Sequence, residues 1–283
     1  MSRILPLAGG RVLSTDLPAF VMGILNITGD SFWEGSRVPS AGEAVERALR
    51  MADAGADIID IGGESTRPGA QYVSPEEELD RIIPVITRLR KESSIPVSVD
   101  TRKEAVLRAA LDAGADILND ISALEDDPAM AGTAAAADIP VILMHKQGTP
   151  GTMQVMPQYR DVLSEVKEYL FSRARFAENA GIARDKIILD PGIGFGKDRR
   201  HNLALITGLA EIASGGYPVL MALSRKRVIG EITGKDTADR LAGTLAANLV
   251  SVRNGASLLR VHDVAETFDM LKVLRETENK WNS

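Results

Sequence analysis

Eight times along the chain a short run of aliphatic, β-prone residues gives way to a longer helical pattern. This alternation limits the fold more than any other feature. The runs are Phe20–Asn26, Ile58–Gly62, Pro96–Asp100, Ile117–Ile121, Val141–His145, Ile187–Asp190, Val219–Leu223 and Leu258–Asp263. Strands separated by helices of about 10 to 15 residues imply parallel βα units. Eight units predict an α/β chain closed into a (β/α)8 TIM barrel, with an open doubly wound sheet as the alternative. The 283 residues suit one such barrel, read as a single domain over 1–283. The first nineteen residues or so are expected to cap the barrel bottom, which leaves 20–278 for the barrel.

Local signals support the helices. Ser74-Pro75-Glu76-Glu77 places a capping hydroxyl before proline at the first helical position, with Glu77 able to reach back. Ser40 with Glu43 and Thr101 with Glu104 predict the same capping box, and Asp127-Pro128 predicts another helix start. Gly55-Ala56-Asp57, Gly114-Ala115-Asp116 and Gly255-Ala256-Ser257 share one exit shape, in which glycine takes a left-handed turn and a small residue leads into a strand.

The strands end in residues that are awkward to bury: Asn26, Glu64, Asp100, Asn119, His145, Asp190, Lys226 and His262. A closed barrel gathers them on one rim, where barrel enzymes place their chemistry. Period-two alternation puts Asn119 on the face of Ile117, Asp190 on that of Ile188, Arg260 with His262 and Ser224 with Lys226. Arg225 points the other way and reads as structural. Each residue alone has a plainer explanation: Asp100-Thr101 as a helix cap, His145 as a satisfied loop histidine, Arg260 and His262 as partners of acidic neighbours. Eight unrelated caps would favour Ser and Asp, not this mixture.

Composition narrows the function. A hydrophobic share of 45% with only 4% aromatic fits aliphatic barrel layers. The net charge of −6 and the lack of a basic stripe argue against nucleic acid, so an anionic substrate needs locally placed cations. No apolar run approaches a membrane span, and Met1–Arg11 lacks the apolar core of a signal peptide, so cytoplasm is expected. The absence of cysteine removes thiolate ligands and nucleophiles. Gly192-Ile193-Gly194-Phe195-Gly196-Lys197 has neither the Lys-Ser/Thr ending of a P-loop nor dinucleotide spacing. Glu64-Ser65-Thr66-Arg67-Pro68-Gly69 reads as a shaped loop after the second strand.

Taken together, Met22-Gly23-Ile24-Leu25-Asn26-Ile27-Thr28-Gly29-Asp30-Ser31-Phe32, Glu64–Gly69, Asp190–Lys197, Ser224-Arg225-Lys226 and Arg260-Val261-His262-Asp263 resemble the signature segments of the dihydropteroate synthase family. The resemblance runs from about residue 20 to 270, in order. It implies a transferase of folate biosynthesis and a sulfonamide target. The implied reaction condenses 6-hydroxymethyl-7,8-dihydropterin diphosphate with p-aminobenzoate. It further implies Asp100, Asp190 and Lys226 as catalytic residues. Asp100, Asn119, Met144, Asp190, Lys226 and Arg260 are implied around the pterin, and Asn26, Arg260 and His262 at the diphosphate. Around p-aminobenzoate it implies Phe32, Thr66, Arg67, Pro68, Phe195, Ser224, Lys226 and Arg227. Mg²⁺, ligated by Asn26, and a homodimer follow from the same resemblance. The chain departs from the family pattern at Gly29, Trp33, Glu34 and Arg227. Three other readings remain: a pterin-binding methyltransferase domain, a Schiff-base aldolase using Lys226, and a non-catalytic pterin-binding scaffold.

Overall fold

A computed structural model of the chain describes residues 2–27, 41–65, 70–148 and 157–279. The chain opens with an antiparallel hairpin, β1 (Arg3–Pro6) and β2 (Val12–Thr15). The repeating units follow: β3 (Phe20–Asn26), α1 (Ala41–Asp53), β4 (Ile58–Gly62), α2 (Pro75–Glu92), β5 (Val97–Asp100), α3 (Glu104–Asp112), β6 (Ile117–Asp120) and α4 (Met130–Ala136). Then come β7 (Val141–Met144), α5 (Val162–Asn179), β8 (Ile187–Asp190), α6 (Arg199–Thr207), α7 (Leu209–Ala213) and β9 (Leu220–Met221). The last are α8 (Arg227–Thr233), α9 (Leu241–Arg253), β10 (Leu258–Val261) and α10 (Val264–Asn279).

Eight parallel strands lie in the order β8-β7-β6-β5-β4-β3-β10-β9. A parallel bridge between Leu189 and Val219 joins the outer pair, and the Leu189 N–H donates to the Pro218 carbonyl at 2.9 Å. The sheet thus closes into a (β/α)8 barrel, and the open-sheet alternative falls. The closing strand is shorter than the expected Val219–Leu223, because only Leu220–Met221 pair as a ladder with β10.

Strand alternation separates two cores. Outward residues such as Val21, Ile59, Val99, Leu118, Leu143 and Leu189 pack under the helices. Inward residues Phe20, Met22, Ile58, Ile117, Ile142, Ile188, Leu220 and Leu258 fill the lower barrel, and each such burial contributes about 2 kcal/mol. Where the sequence places a cap segment, the hairpin inserts Leu5 and Leu7 into this same cluster. The barrel interior is therefore plugged from below.

The repeated helix exits appear as expected, with φ of +101° at Gly55, +105° at Gly114 and +104° at Gly255. A Cβ at Gly55 would lie 2.5 Å from the Phe268 ring, so both conformation and space demand glycine there. The capping expectations fare less evenly. Ser74 accepts the Glu77 N–H at 3.2 Å, the forward half of the expected box. Thr101 caps nothing; its Oγ1 accepts the Lys103 N–H. Asp127, in the following loop, accepts the Glu104 N–H at 2.8 Å and also the Ala129 N–H at 3.0 Å. One carboxylate from outside thus serves two helix starts, a tertiary contact that local spacing does not reveal. The Ser40 box lies outside the described residues. Among the described residues no helix is long and apolar enough to cross a membrane.

Candidate active site

Above the aliphatic floor the inward positions turn polar. Asp60 is next up from Ile58 on the inner face of β4, and it is fully buried. Arg260, next up from Leu258 on β10, donates from Nε to Asp60 Oδ2 at 2.6 Å and from Nη2 to Asp100 Oδ2 at 2.8 Å. Asn119 Nδ2 approaches both Asp60 oxygens at 3.3 Å. Carboxylates from β4 and β5 thus converge on the guanidinium from β10, and Asn119 of β6 braces Asp60. Burial works against the Arg260 charge, but Asp60 and Asp100 outweigh it and raise its pKa. Asp100 is pushed up to about 7 by burial, which the nearby Arg260 only partly offsets and Asp60 reinforces.

A second charged pair lies across the mouth. Asp190 ends β8 and accepts the Gly192 N–H at 2.7 Å. Burial raises its pKa against the pull of Lys226. Lys226, the residue before α8, donates from Nζ to the Ile193 carbonyl and lies 4.9 Å from the centre of the Phe195 ring. Burial lowers it to about 8, with Asp190 holding it up and Arg260 pushing it down. Met144 is buried beside Asp190, its partner in the β7–β8 register.

The other expected residues divide. His262 lies above Arg260, and its Nδ1 is 3.0 Å from Ser224 Oγ, a hydroxyl that also accepts the His262 N–H at 3.1 Å. Burial, with Arg260 nearby, lowers His262 to about 4, so it is neutral at pH 7. Asn26 ends β3 on the inner face at the rim. Arg227 is largely exposed on α8 and pairs with Glu231 one turn on. Phe32, Thr66, Arg67 and Pro68 lie outside the described residues. Arg225 takes the left-handed conformation (φ +55°) and bonds Asp263 through Nε at 2.9 Å, away from the pocket.

Two groups, Asp60 and Lys197, escaped the sequence reading, and Glu64, placed on the rim by it, proves to bond within the rim. Asp60 was legible in principle, since a carboxylate amid Ile58-Ile59-Asp60-Ile61 needs a buried partner. Lys197 is almost wholly buried, with Nζ 2.9 Å from His145 Nδ1. Glu64 joins a rim network instead of the pocket: Lys103 donates to it at 2.8 Å and Arg102 at 3.1 Å, and Arg102 continues to Asp126.

This arrangement offers carboxylates to the donor edge of a flat heterocycle, a guanidinium and an imidazole to an anion, and a lysine between them. Comparison with known proteins agrees. The model of the pterin binding enzyme family matches residues 22–262. The dihydropteroate synthase of Escherichia coli (strain K12) is 46% identical over 264 residues, covering 92% of this chain and 93% of that protein. Xanthomonas albilineans dihydropteroate synthase with 4-aminobenzoic acid superposes with a TM-score of 0.89 at 46% identity, covering 97% and 98%. The same enzyme in complex with 7,8-dihydropteroate gives 0.87 at 44%, covering 98% and 99%. The chain belongs to the pterin-binding enzyme family and, within it, groups with the dihydropteroate synthases.

Proposed function

We infer that the chain catalyses the dihydropteroate synthase reaction of folate biosynthesis. The C–O bond between the pterin methylene and the diphosphate breaks, and the diphosphate leaves with the electron pair. The arylamine nitrogen of p-aminobenzoate then bonds the methylene carbon and loses a proton. The observation that carries this reading is the inner-face set of Asp100, Asn119, Asp190, Lys226 and Arg260 above a sealed apolar floor.

In this reading Asp190 and Asn119 accept and donate along the pyrimidine edge, deep in the barrel beside Met144. Lys226 leaves the Ile193 carbonyl to bond the pterin carbonyl and ring nitrogen. Arg260 lays its planar guanidinium on the ring while its charge faces the diphosphate with His262. The Arg260 charge, with the neutral His262 ring as a hydrogen-bonding partner, stabilises an anion that grows as the C–O bond breaks, which is the differential binding that accelerates a step. Asp100 stabilises the methylene cation. Its raised pKa reflects a carboxylate short of partners, so a developing cation next to it is favoured. Phe195, Ser224 and Lys226, with the residues outside the described set, form the arylamine side. Arg227 takes part there only by leaving Glu231.

Mg²⁺ is proposed with the substrate and not as a resident ion. Among the described residues no group of three or more metal-ligating His or carboxylate side chains gathers, and the Asn26 amide is a single neutral donor. That donor set fits an ion held mainly by diphosphate oxygens and water. When bound, it supplies charge neutralisation to the leaving diphosphate. A homodimer is proposed with it. On α9 the polar residues Thr244, Asn248 and Ser251 face inward, while Val250 on α9 and Val273 on α10 are exposed. Cytoplasm is the proposed compartment, supported by the charged, phosphorylated substrate. The aldolase and scaffold readings lose their ground once Lys226 is a ligand of a transferred ring.

The test is diphosphate release by the purified chain with Mg²⁺. The expected result is release that requires both the pterin diphosphate and p-aminobenzoate. Release without the arylamine, or none at all, overturns the reading.

A further inference from the structure

Lys197 closes a loop around its own ammonium. Its Nζ lies 2.9 Å from His145 Nδ1, 3.0 Å from the Gly192 and Phe195 carbonyls, and 3.3 Å from the His145 carbonyl. All four acceptors are neutral, and they come from the loop after β8 and the loop after β7. His145 is driven down to about 3 by burial and by Lys197 itself. Its ring is therefore neutral; burial also pulls Lys197 down to about 7, and while Lys197 is protonated the ring accepts at Nδ1 with its own proton on Nε2.

The two loops are built to meet at the backbone. A Cβ on Gly192 would fall 1.9 Å from the His145 carbonyl oxygen, and one on Gly196 would fall 2.4 Å from that of Gln147. Tyr159 adds a bond from its hydroxyl to the Gly196 carbonyl at 2.9 Å. From α6, Asn202 Oδ1 accepts the Gly194 N–H at 2.8 Å. The loop fixed in this way carries three groups that touch the site: the Gly192 N–H on Asp190, the Ile193 carbonyl on Lys226, and the Phe195 ring beside Lys226.

We propose that Lys197 and His145 act as a positioning pair that sets the Gly192–Lys197 loop, and so fixes Phe195 and the Lys226 rest position on the arylamine side of the site. A buried ammonium is costly unless its donors are used, and these are spent wholly on loop carbonyls and one imidazole. That is an expensive way to fold a surface loop and an effective way to hold one still. Neither residue touches substrate. The proposal rests on the dihydropteroate synthase reading and extends it to groups outside the pocket.

Steady-state kinetics of Lys197→Met test it, with p-aminobenzoate and the pterin diphosphate varied separately. The expected result is an arylamine KM raised at least tenfold, with a clearly smaller rise in the pterin diphosphate KM, because the same loop also touches Asp190 and Lys226. A residue that merely supports folding lowers the active fraction, which cuts kcat and leaves both KM values alone; that result overturns the proposal. His145→Leu should reproduce the split, and His145→Asn, which returns an acceptor near the Nδ1 position, should recover most of it. Equal behaviour of the two His145 variants also overturns it. Should Lys197→Met fail to fold, the His145 pair and Tyr159→Phe carry the test, the last with a two- to threefold rise in arylamine KM. Wild-type enzyme that releases no diphosphate removes the reading of the site, and this inference with it. Active wild type without the KM split removes this inference alone.

Discussion

The two ends of the barrel use aspartate in opposite ways. At the bottom, Asp57 accepts the Val21 N–H at 2.8 Å, and Asp116 accepts the Val97 N–H at 2.9 Å while also pairing with Arg90 and Arg11. Each sits two residues after a helix-ending glycine and ties the entry of its own strand to a neighbour. At the top, Asp60 and Asp100 share Arg260, and Asp190 has one backbone N–H. Lower carboxylates are satisfied by the chain itself. Upper ones are crowded around shared cations; burial raises Asp100 and Asp190 and also lifts Asp57 to about 6, so the two ends differ in partners and not in the direction of the shift. Stability and chemistry are thus assigned to different ends of the same strands, as expected for a barrel enzyme.

The largest break in this comparison is Asp190→Asn. The amide presents a donor where the proposed pterin edge also donates, leaving buried polar groups unpaired at a cost of about 3 kcal/mol. Pterin affinity by calorimetry is expected to fall roughly 100-fold with the circular dichroism spectrum unchanged. Unaltered affinity removes Asp190 from the pterin site.

Asp100 sharpens the contrast through pH. Its pKa is raised in the folded state, so between pH 4 and 7 the native form binds more proton than the unfolded form, and stability falls as pH rises. Asp100→Asn abolishes that contribution. The variant's unfolding free energy relative to wild type is expected to climb by about 2 kcal/mol from pH 4 to pH 7. His262 and groups remote from Asp100 cancel in the difference, while Asp60, Glu78 and Asp120, whose charges act on Asp100, shift with it. A flat difference across that window means that Asp100 is an ordinary ionised carboxylate.

At the lower end the outcome reverses. Asp116→Ala strips the Val97 N–H and two guanidinium groups of their acceptor, and is expected to cost about 1.5 kcal/mol in urea unfolding. Its kcat per folded molecule should match wild type. His262→Ala, at the top, should do the converse. Diphosphate binding weakens about tenfold, near 1.4 kcal/mol, while a pterin lacking phosphates binds as before. Equal losses for both ligands mean that the anion end lies elsewhere.

Much of this architecture is legible in the sequence alone. The strands β3, β4 and β8 fall where alternation and composition put them, and the inward parity of Asn119, Asp190 and Arg260 follows from the same count. What resisted was non-local. The cap of α3 comes from Asp127, 23 residues away, so Thr101-Glu104 spacing misled. The joining strand β9 is short because closure there rests on one bridge at Val219, a geometric demand without a composition signal. Lys197 stands at the end of a glycine-rich run that matches neither a P-loop nor a dinucleotide fingerprint, so the spacing points to no role. Its burial depends on the approach of residues 145–147, which are distant in sequence. Asp60 is readable in principle, a charged residue in the middle of an apolar strand and not at its end.

The smallest expected effect bears on the rim, where the chain departs from the family pattern. Arg227 pairs with Glu231 on the exposed side of α8, an i,i+4 contact of a kind that contributes about 0.3–0.5 kcal/mol. In the proposed reading its guanidinium would have to leave Glu231 to meet the arylamine carboxylate, and a solvated i,i+4 pair offers little resistance to that. Arg227→Ser is therefore expected to shift stability by less than about 0.5 kcal/mol and the p-aminobenzoate KM by less than twofold. Raising the salt concentration should shrink even that change, since both competing contacts are screened. A KM rise of tenfold or more, lost at high salt, would show the side chain swinging over the mouth when the arylamine binds. The boundary between the rigid upper barrel and its adjustable rim would then run through α8, and Arg227 would belong to the site.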